Sequence, residues 1–163
     1  MYPLLRLGPF NVSSGGLLLV LALVVGSTLF ERAARQRGGL ALADQASRLG
    51  LPTIVGAVVG ARLWYGLLNW DLYGRNPELF VALRIADLAW PGALLGGTLA
   101  AWLWCRLRRF DAPSLADAAP FGLLPAQLIA CIGLLLSGEA FGIPTTLPWG
   151  ISLFGATRHP TQL

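Results

Sequence analysis

Lysine is absent from this chain, whose twelve basic residues are all arginine, and charges of both signs account for only 12% of its 163 residues. Soluble domains carry about 25%. Together with a hydrophobic fraction of 55% and a mean hydropathy of +0.64, that scarcity means lipid must solvate much of the surface. The net charge of +4 comes from arginines spread along several loops rather than gathered on one face, which argues against a nucleic-acid partner. The two cysteines, Cys105 and Cys131, both fall in apolar runs at different expected depths, so no disulfide is expected. There is one histidine, no Cys/His grouping with metal-ligand spacing, no Gly-x-Ser-x-Gly elbow and no phosphate-binding glycine loop, so metal, nucleotide and other cofactor chemistry has no support.

What the chain does have is long apolar runs. A membrane-spanning helix needs about 20 mostly apolar residues, because the hydrocarbon core is roughly 30 Å thick. Four segments meet or approach that length: 12–30, 49–68, 91–107 and 121–136. Runs such as Leu17-Leu18-Leu19-Val20-Leu21 refuse the alternation of a membrane β-barrel. The expected fold is an all-α membrane protein of about four transmembrane helices, forming one polytopic domain over residues 1–163, with an outer-face loop region over 137–163.

Arginine placement gives the orientation, since cytoplasmic loops are enriched in it. Arg32, Arg35, Arg37 and Arg48 lie between the first and second segments, and Arg106, Arg108 and Arg109 between the third and fourth. The opposite side holds Arg6, Arg75, Arg84 and Arg158. Both termini are therefore expected outside. A cleaved signal peptide does not fit the first segment, because Glu31-Arg32-Ala33-Ala34-Arg35 follows the apolar run where small residues of a cleavage site belong.

Few residues offer chemistry. Arg62 stands six residues from the end of the second segment, roughly 9 Å inside the slab at 1.5 Å per helical residue, where a guanidinium either faces a phospholipid phosphate or snorkels to water. The stretch from Leu123 to Ile151 is a second feature, an apolar run ending in Ser137-Gly138-Glu139 and then a Pro/Gly-punctuated loop. Glu139 pairs with Arg62, holds a polar substrate group, or is simply solvated. His159, in Arg158-His159-Pro160, is a proton acceptor by type or a solvated loop residue. The Gly56-x-x-x-Gly60 and Gly92-x-x-x-Gly96 spacings read as helix-packing faces. Trp64, Tyr65, Trp70, Tyr73, Trp90 and Trp149 read as interfacial anchors.

In order and approximate spacing, Leu7-Gly8-Pro9, Gly60-Ala61-Arg62-Leu63-Trp64-Tyr65, Pro91-Gly92-Ala93-Leu94-Leu95-Gly96-Gly97, Ser137-Gly138-Glu139 through Gly142, Leu147-Pro148-Trp149-Gly150 and Arg158-His159-Pro160-Thr161-Gln162-Leu163 resemble the bacterial prolipoprotein diacylglyceryl transferase family. The resemblance covers nearly the whole chain. It implies a multi-pass plasma-membrane protein that moves diacylglycerol from phosphatidylglycerol to the lipobox cysteine of a prolipoprotein signal peptide at the outer leaflet. It implies a lipid site at Arg62, Gly138, Glu139, Gly142 and Arg158, with Glu139 and His159 as catalytic candidates.

The chain departs from the family pattern at polar positions. Pro91 stands where the family has His, Cys131 where it has Arg, Leu134 and Ser137 where it has Asn, and Gly15 where a Tyr is expected. The family also continues into further membrane helices past the position of Leu163, so the chain reads as a shortened, degenerate member. Those departures imply weakened transfer, and a non-catalytic lipid- or protein-binding homologue is the alternative reading.

Overall fold

The computed structural model describes residues 4–7, 10–75, 78, 89–137, 141–153 and 155–160. In chain order the elements are β1 (Leu4–Leu7), β2 (Phe10–Ser13), α1 (Ser14–Leu68), α2 (Trp70–Tyr73), α3 (Trp90–Arg108), α4 (Ala112–Ser137), β3 (Phe141–Pro144), β4 (Ile151–Leu153) and β5 (Ala156–Pro160). Helix dominates, as the apolar runs require.

Helix α1 has 55 residues, and its backbone breaks at Gly38 (φ −133°, ψ 19°) and Gly39 (φ 68°, ψ −158°). A positive φ is cheap only for glycine, so Gly39 is where the chain can leave one helix and begin another. The helices outrun the hydropathy windows. The first runs 14–37 rather than 12–30, the second begins at 40 rather than 49, and α4 begins at Ala112 rather than 121. Hydropathy measures the lipid slab, whereas Ala-Ala-Arg-Gln-Arg and Ala-Leu-Ala-Asp-Gln-Ala are strong helix formers that carry the coil into water.

Helices α1 and α4 are long and apolar enough to cross a membrane, each with an 18-residue window of mean hydropathy 1.9. Only 22% and 11% of those windows is buried. The core helix of a soluble protein would be mostly covered, whereas here Val20, Val24, Leu51, Leu67, Leu124 and Leu128 all stand exposed. Apolar area of that extent is stable only against another apolar phase.

The chain divides into two compact units, Met1–Ala33 with Ala118–Leu163, and Ala34–Asp117. In the first, the start of α1 meets the end of α4 in antiparallel fashion through small residues. A Cβ on Gly15 would stand 3.0 Å from Ser137 Oγ, one on Gly26 2.8 Å from Ala126 Cβ, and one on Gly133 2.9 Å from Leu18 Cβ. The helix N-terminus is capped by Ser13, whose Oγ accepts from Gly16 N at 3.4 Å.

This unit also holds short strands, some of them within the 137–163 region that follows the last helix. Strands β1 and β2 form an antiparallel pair, Leu4↔Ser13 to Leu7↔Phe10, and the closing region is a three-stranded antiparallel sheet of order β3-β5-β4. The strands are three to five residues long and bulged between Phe141 and Pro144, so they carry no alternating pattern. The β4–β5 connection passes through Gly155 at φ 79°.

In the 34–117 unit the second half of α1 and α3 are antiparallel and share a glycine face. Gly56 faces Gly96 and Ala100, and Gly60 faces Gly92 and Gly96, each so closely that an added Cβ would collide with backbone or Cβ atoms of the partner helix. The packing role expected of the two Gly-x-x-x-Gly spacings is met, since small residues let backbones approach. Ala89 N donates to Ala61 O at 3.3 Å and ties the entry of α3 to α1. At the other end Arg109, the C-cap of α3, takes the left-handed conformation (φ 55°). Phe110 N then donates to Cys105 O at 2.9 Å, and Asp111 N donates to Gln45 Oε1 at 2.9 Å.

Candidate functional site

Among its described residues the 34–117 unit buries one charged side chain. Arg62 is 5% exposed, six residues before α1 ends at Leu68. It is thus held within the protein rather than snorkelling into headgroup water. The helix ends because Asn69 turns back, its backbone N and side-chain Nδ2 both donating to Tyr65 O at 3.0 and 2.9 Å. The single turn of α2 follows, and it returns Tyr73 to Arg62, with the guanidinium carbon 5.6 Å from the ring centroid. Tyr73 is 2% exposed and meets the Tyr65 ring edge-on at 5.9 Å. A guanidinium over an aromatic face keeps its charge and gains up to about 2 kcal/mol when desolvated. In apolar surroundings its attraction for an anion is several-fold stronger than in water. Tyr73 reads in the sequence as an interfacial anchor; it is a buried partner of Arg62.

In the other unit the closing sheet joins three motif residues and one aromatic. Arg158 Nη1 donates to Gly142 O at 3.4 Å, across the β3–β5 pair. Trp149 Nε1 donates to His159 Nε2 at 3.4 Å, so Nε2 is the acceptor nitrogen of that imidazole. Trp149 comes from the turn closed by Gly150 N donating to Leu147 O at 2.9 Å. Its pairing with His159 has no signature in residue spacing. Gly138 and Glu139 lie outside the described residues, as do Gly8, Pro9 and the closing Thr161-Gln162-Leu163.

The α4 positions that depart from the family pattern are occupied by self-contained groups. Cys131 Sγ accepts from Gln127 Nε2 at 3.4 Å one turn earlier, and Ser137 Oγ donates to Leu134 O at 3.2 Å. On α1, Gly15 packs closely on Ser137, where an added Cβ would stand 3.0 Å from its Oγ. Pro91 occupies the first turn of α3, where its missing N–H costs nothing. Both cysteines are free thiols, and no group of three or more His, Cys, Asp or Glu suited to a metal occurs among the described residues.

Apolar helices of membrane-spanning length with exposed hydrophobic faces, glycine-mediated helix contacts and an arginine buried near a helix end describe a mostly helical protein of membrane character. The family model for prolipoprotein diacylglyceryl transferase matches residues 3–163, and the chain belongs to that family. It is 36% identical over 157 residues to the phosphatidylglycerol–prolipoprotein diacylglyceryl transferase of Trichormus variabilis, covering 96% of this chain and 55% of that protein. The enzymes of the same name from Gloeobacter violaceus (34% identical over 158 residues, 96% of this chain and 58% of the relative) and Clostridioides difficile (30% over 148 residues, 91% and 59%) are similar to it as well. The chain spans somewhat more than half the length of these curated relatives.

Proposed function

We propose that the chain is a single polytopic domain that crosses the bacterial inner membrane four times with both termini outside, and that it holds phosphatidylglycerol with the headgroup phosphate on Arg62, for diacylglyceryl transfer to a prolipoprotein. The observation that carries this reading is the burial of Arg62 near the end of an apolar helix, in a chain matched by the family over nearly its whole length. Gly138, Glu139, Gly142 and Arg158 are further lipid-binding candidates on the strength of the family's motifs.

The relatives' names supply the chemistry of this proposal. A lipobox thiolate attacks the glyceryl carbon, an S–C bond forms, and the C–O bond to phosphate breaks. The electron pair leaves on glycerol phosphate, and the thiol proton goes to a base, for which Glu139 and His159 are the candidates. The departing phosphate gains negative charge, and a fixed guanidinium stabilises that charge more in the transition state than in the bound lipid.

Titration of the purified chain with phosphatidylglycerol tests the reading. Arg62→Leu is expected to remove one bound lipid, and an unchanged number of lipids bound at unchanged affinity would overturn the assignment. One set of observations favours a second reading, a lipid- or protein-binding homologue that does not transfer: Pro91, Cys131, Leu134, Ser137 and Gly15 stand at the departing positions, and the α4 hydroxyl and thiol are engaged within their own helix.

A further inference from the structure

The arginine-rich end of the 34–117 unit holds a cavity of about 430 Å³ lined by Ser47, Arg48, Leu51, Pro52, Trp104, Arg108 and Phe110. The geometry points to a second anionic site there, one that takes the phosphate of a glycerophospholipid from the leaflet opposite Arg62.

Two helices and a strained turn build it. Arg48 comes from α1, where it is held by Asp44 one turn earlier, Nε to Oδ2 at 3.0 Å. Pro52 follows one turn later and has no N–H to offer the Arg48 carbonyl. Arg108 comes from the last turn of α3, its guanidinium carbon 4.9 Å from the centroid of Trp104. The left-handed Arg109 then folds Phe110 back as the far wall. Stacking on indole fixes the plane of the Arg108 guanidinium, so its N–H fork is preorganised for two phosphate oxygens. Trp104 Nε1 is buried with no hydrogen-bond partner among the described residues, an uncompensated donor in the wall of the cavity.

Charge decides what enters. The C-terminal end of α3 contributes about half a negative charge, and Asp44 is occupied by Arg48. Asp111 Oδ1 accepts from Ser114 N at 3.3 Å at the start of α4. Arg106, Arg108 and Arg109 together exceed these terms, leaving the rim positive. Leu51 on the wall is 71% exposed, an apolar side chain at the mouth of the cavity that acyl chains would cover. A basic pocket between helices that runs into lipid-facing surface suits a phospholipid headgroup, whereas a soluble anion has no use for the apolar continuation.

The site is independent of Arg62, so the test uses the full-length chain carrying Arg62→Leu, in neutral detergent, titrated calorimetrically with dihexanoyl phosphatidylglycerol. One lipid is expected to bind. Arg48→Gln with Arg108→Gln is expected to weaken it at least tenfold, while Arg106→Gln with Arg109→Gln, which removes the same charge from the rim but spares the lining, is expected to weaken it by only a few-fold. Dihexanoyl phosphatidylcholine and inorganic phosphate are expected to bind at least tenfold more weakly. Absence of binding in the Arg62→Leu chain, equal loss from the two arginine pairs, or phosphate binding as tight as the lipid would each overturn the proposal. None of these outcomes bears on Arg62, whose own test compares the parent with Arg62→Leu.

Discussion

Arg62 and Tyr73 are buried against each other, 5% and 2% exposed, with the guanidinium 5.6 Å from the ring centroid. Eleven positions separate them, and the one-turn helix beyond Asn69 closes that distance. The pair should couple. Tyr73→Leu is expected to cost about 1–2 kcal/mol of unfolding free energy, the size of a desolvated cation–π contact, and much less in a chain already carrying Arg62→Leu. Reversible unfolding in mixed micelles measures the four corners of the cycle. Equal costs in both backgrounds would mean that the ring only fills space.

That relationship also shows where sequence reasoning stops. Arg62 stands out because a charge inside an apolar run is costly and rare, and the glycine pairs 56/60 and 92/96 stand out because a four-residue spacing lies on one helix face. Tyr73 belongs to no period, since a helix end intervenes, and an aromatic near a membrane boundary reads as an anchor. The closing sheet is hidden for a similar reason. Strands of three to five residues, punctuated by Pro144 and Gly155 and bulged at 141–144, are too short for alternation to show. The Trp149–His159 contact depends on that sheet, so it is hidden as well.

Two glycines of one helix should respond oppositely to alanine. Gly60→Ala puts a methyl group into the backbone of Gly92 and Gly96, and overpacking at such a contact costs roughly 1–3 kcal/mol. Gly50 has nothing within 4 Å of its Cβ position, so Gly50→Ala should stabilise by about 0.4–1 kcal/mol through lost freedom of the unfolded chain. Thermal unfolding of the purified variants gives both signs. Tolerance of alanine at Gly60 would show that α1 and α3 do not pack through it.

The arginine asymmetry predicts which segments face the cytoplasm. In a chain without its own cysteines, a cysteine at Arg37, beside the Gly38-Gly39 break, should resist a membrane-impermeant thiol reagent in spheroplasts and react after lysis. A cysteine at Ser152, exposed on β4, should react before lysis. The reverse pattern would invert the topology and place Arg62 at the inner leaflet.

Transfer activity is the sharpest test. Among the described residues of α4, the groups at the departing positions are a thiol that accepts from Gln127, a leucine, and a hydroxyl that donates to its own helix; none brings a positive charge to a departing phosphate. Pro91 offers no base at the entry of α3. Loss of a single electrostatic donor typically lowers a rate by about 10²–10³, so even with Arg62 in place the chain is expected to lipidate a prolipoprotein at under about 1% of a full transferase. Complementation of a strain depleted of its own enzyme, with mass-spectrometric detection of diacylglyceryl-cysteine, reads this directly. Restored lipidation that His159→Ala then abolishes would show instead that the sheet carrying His159 and Arg158 supplies both base and charge, and that the chemistry has moved from α4 to β5.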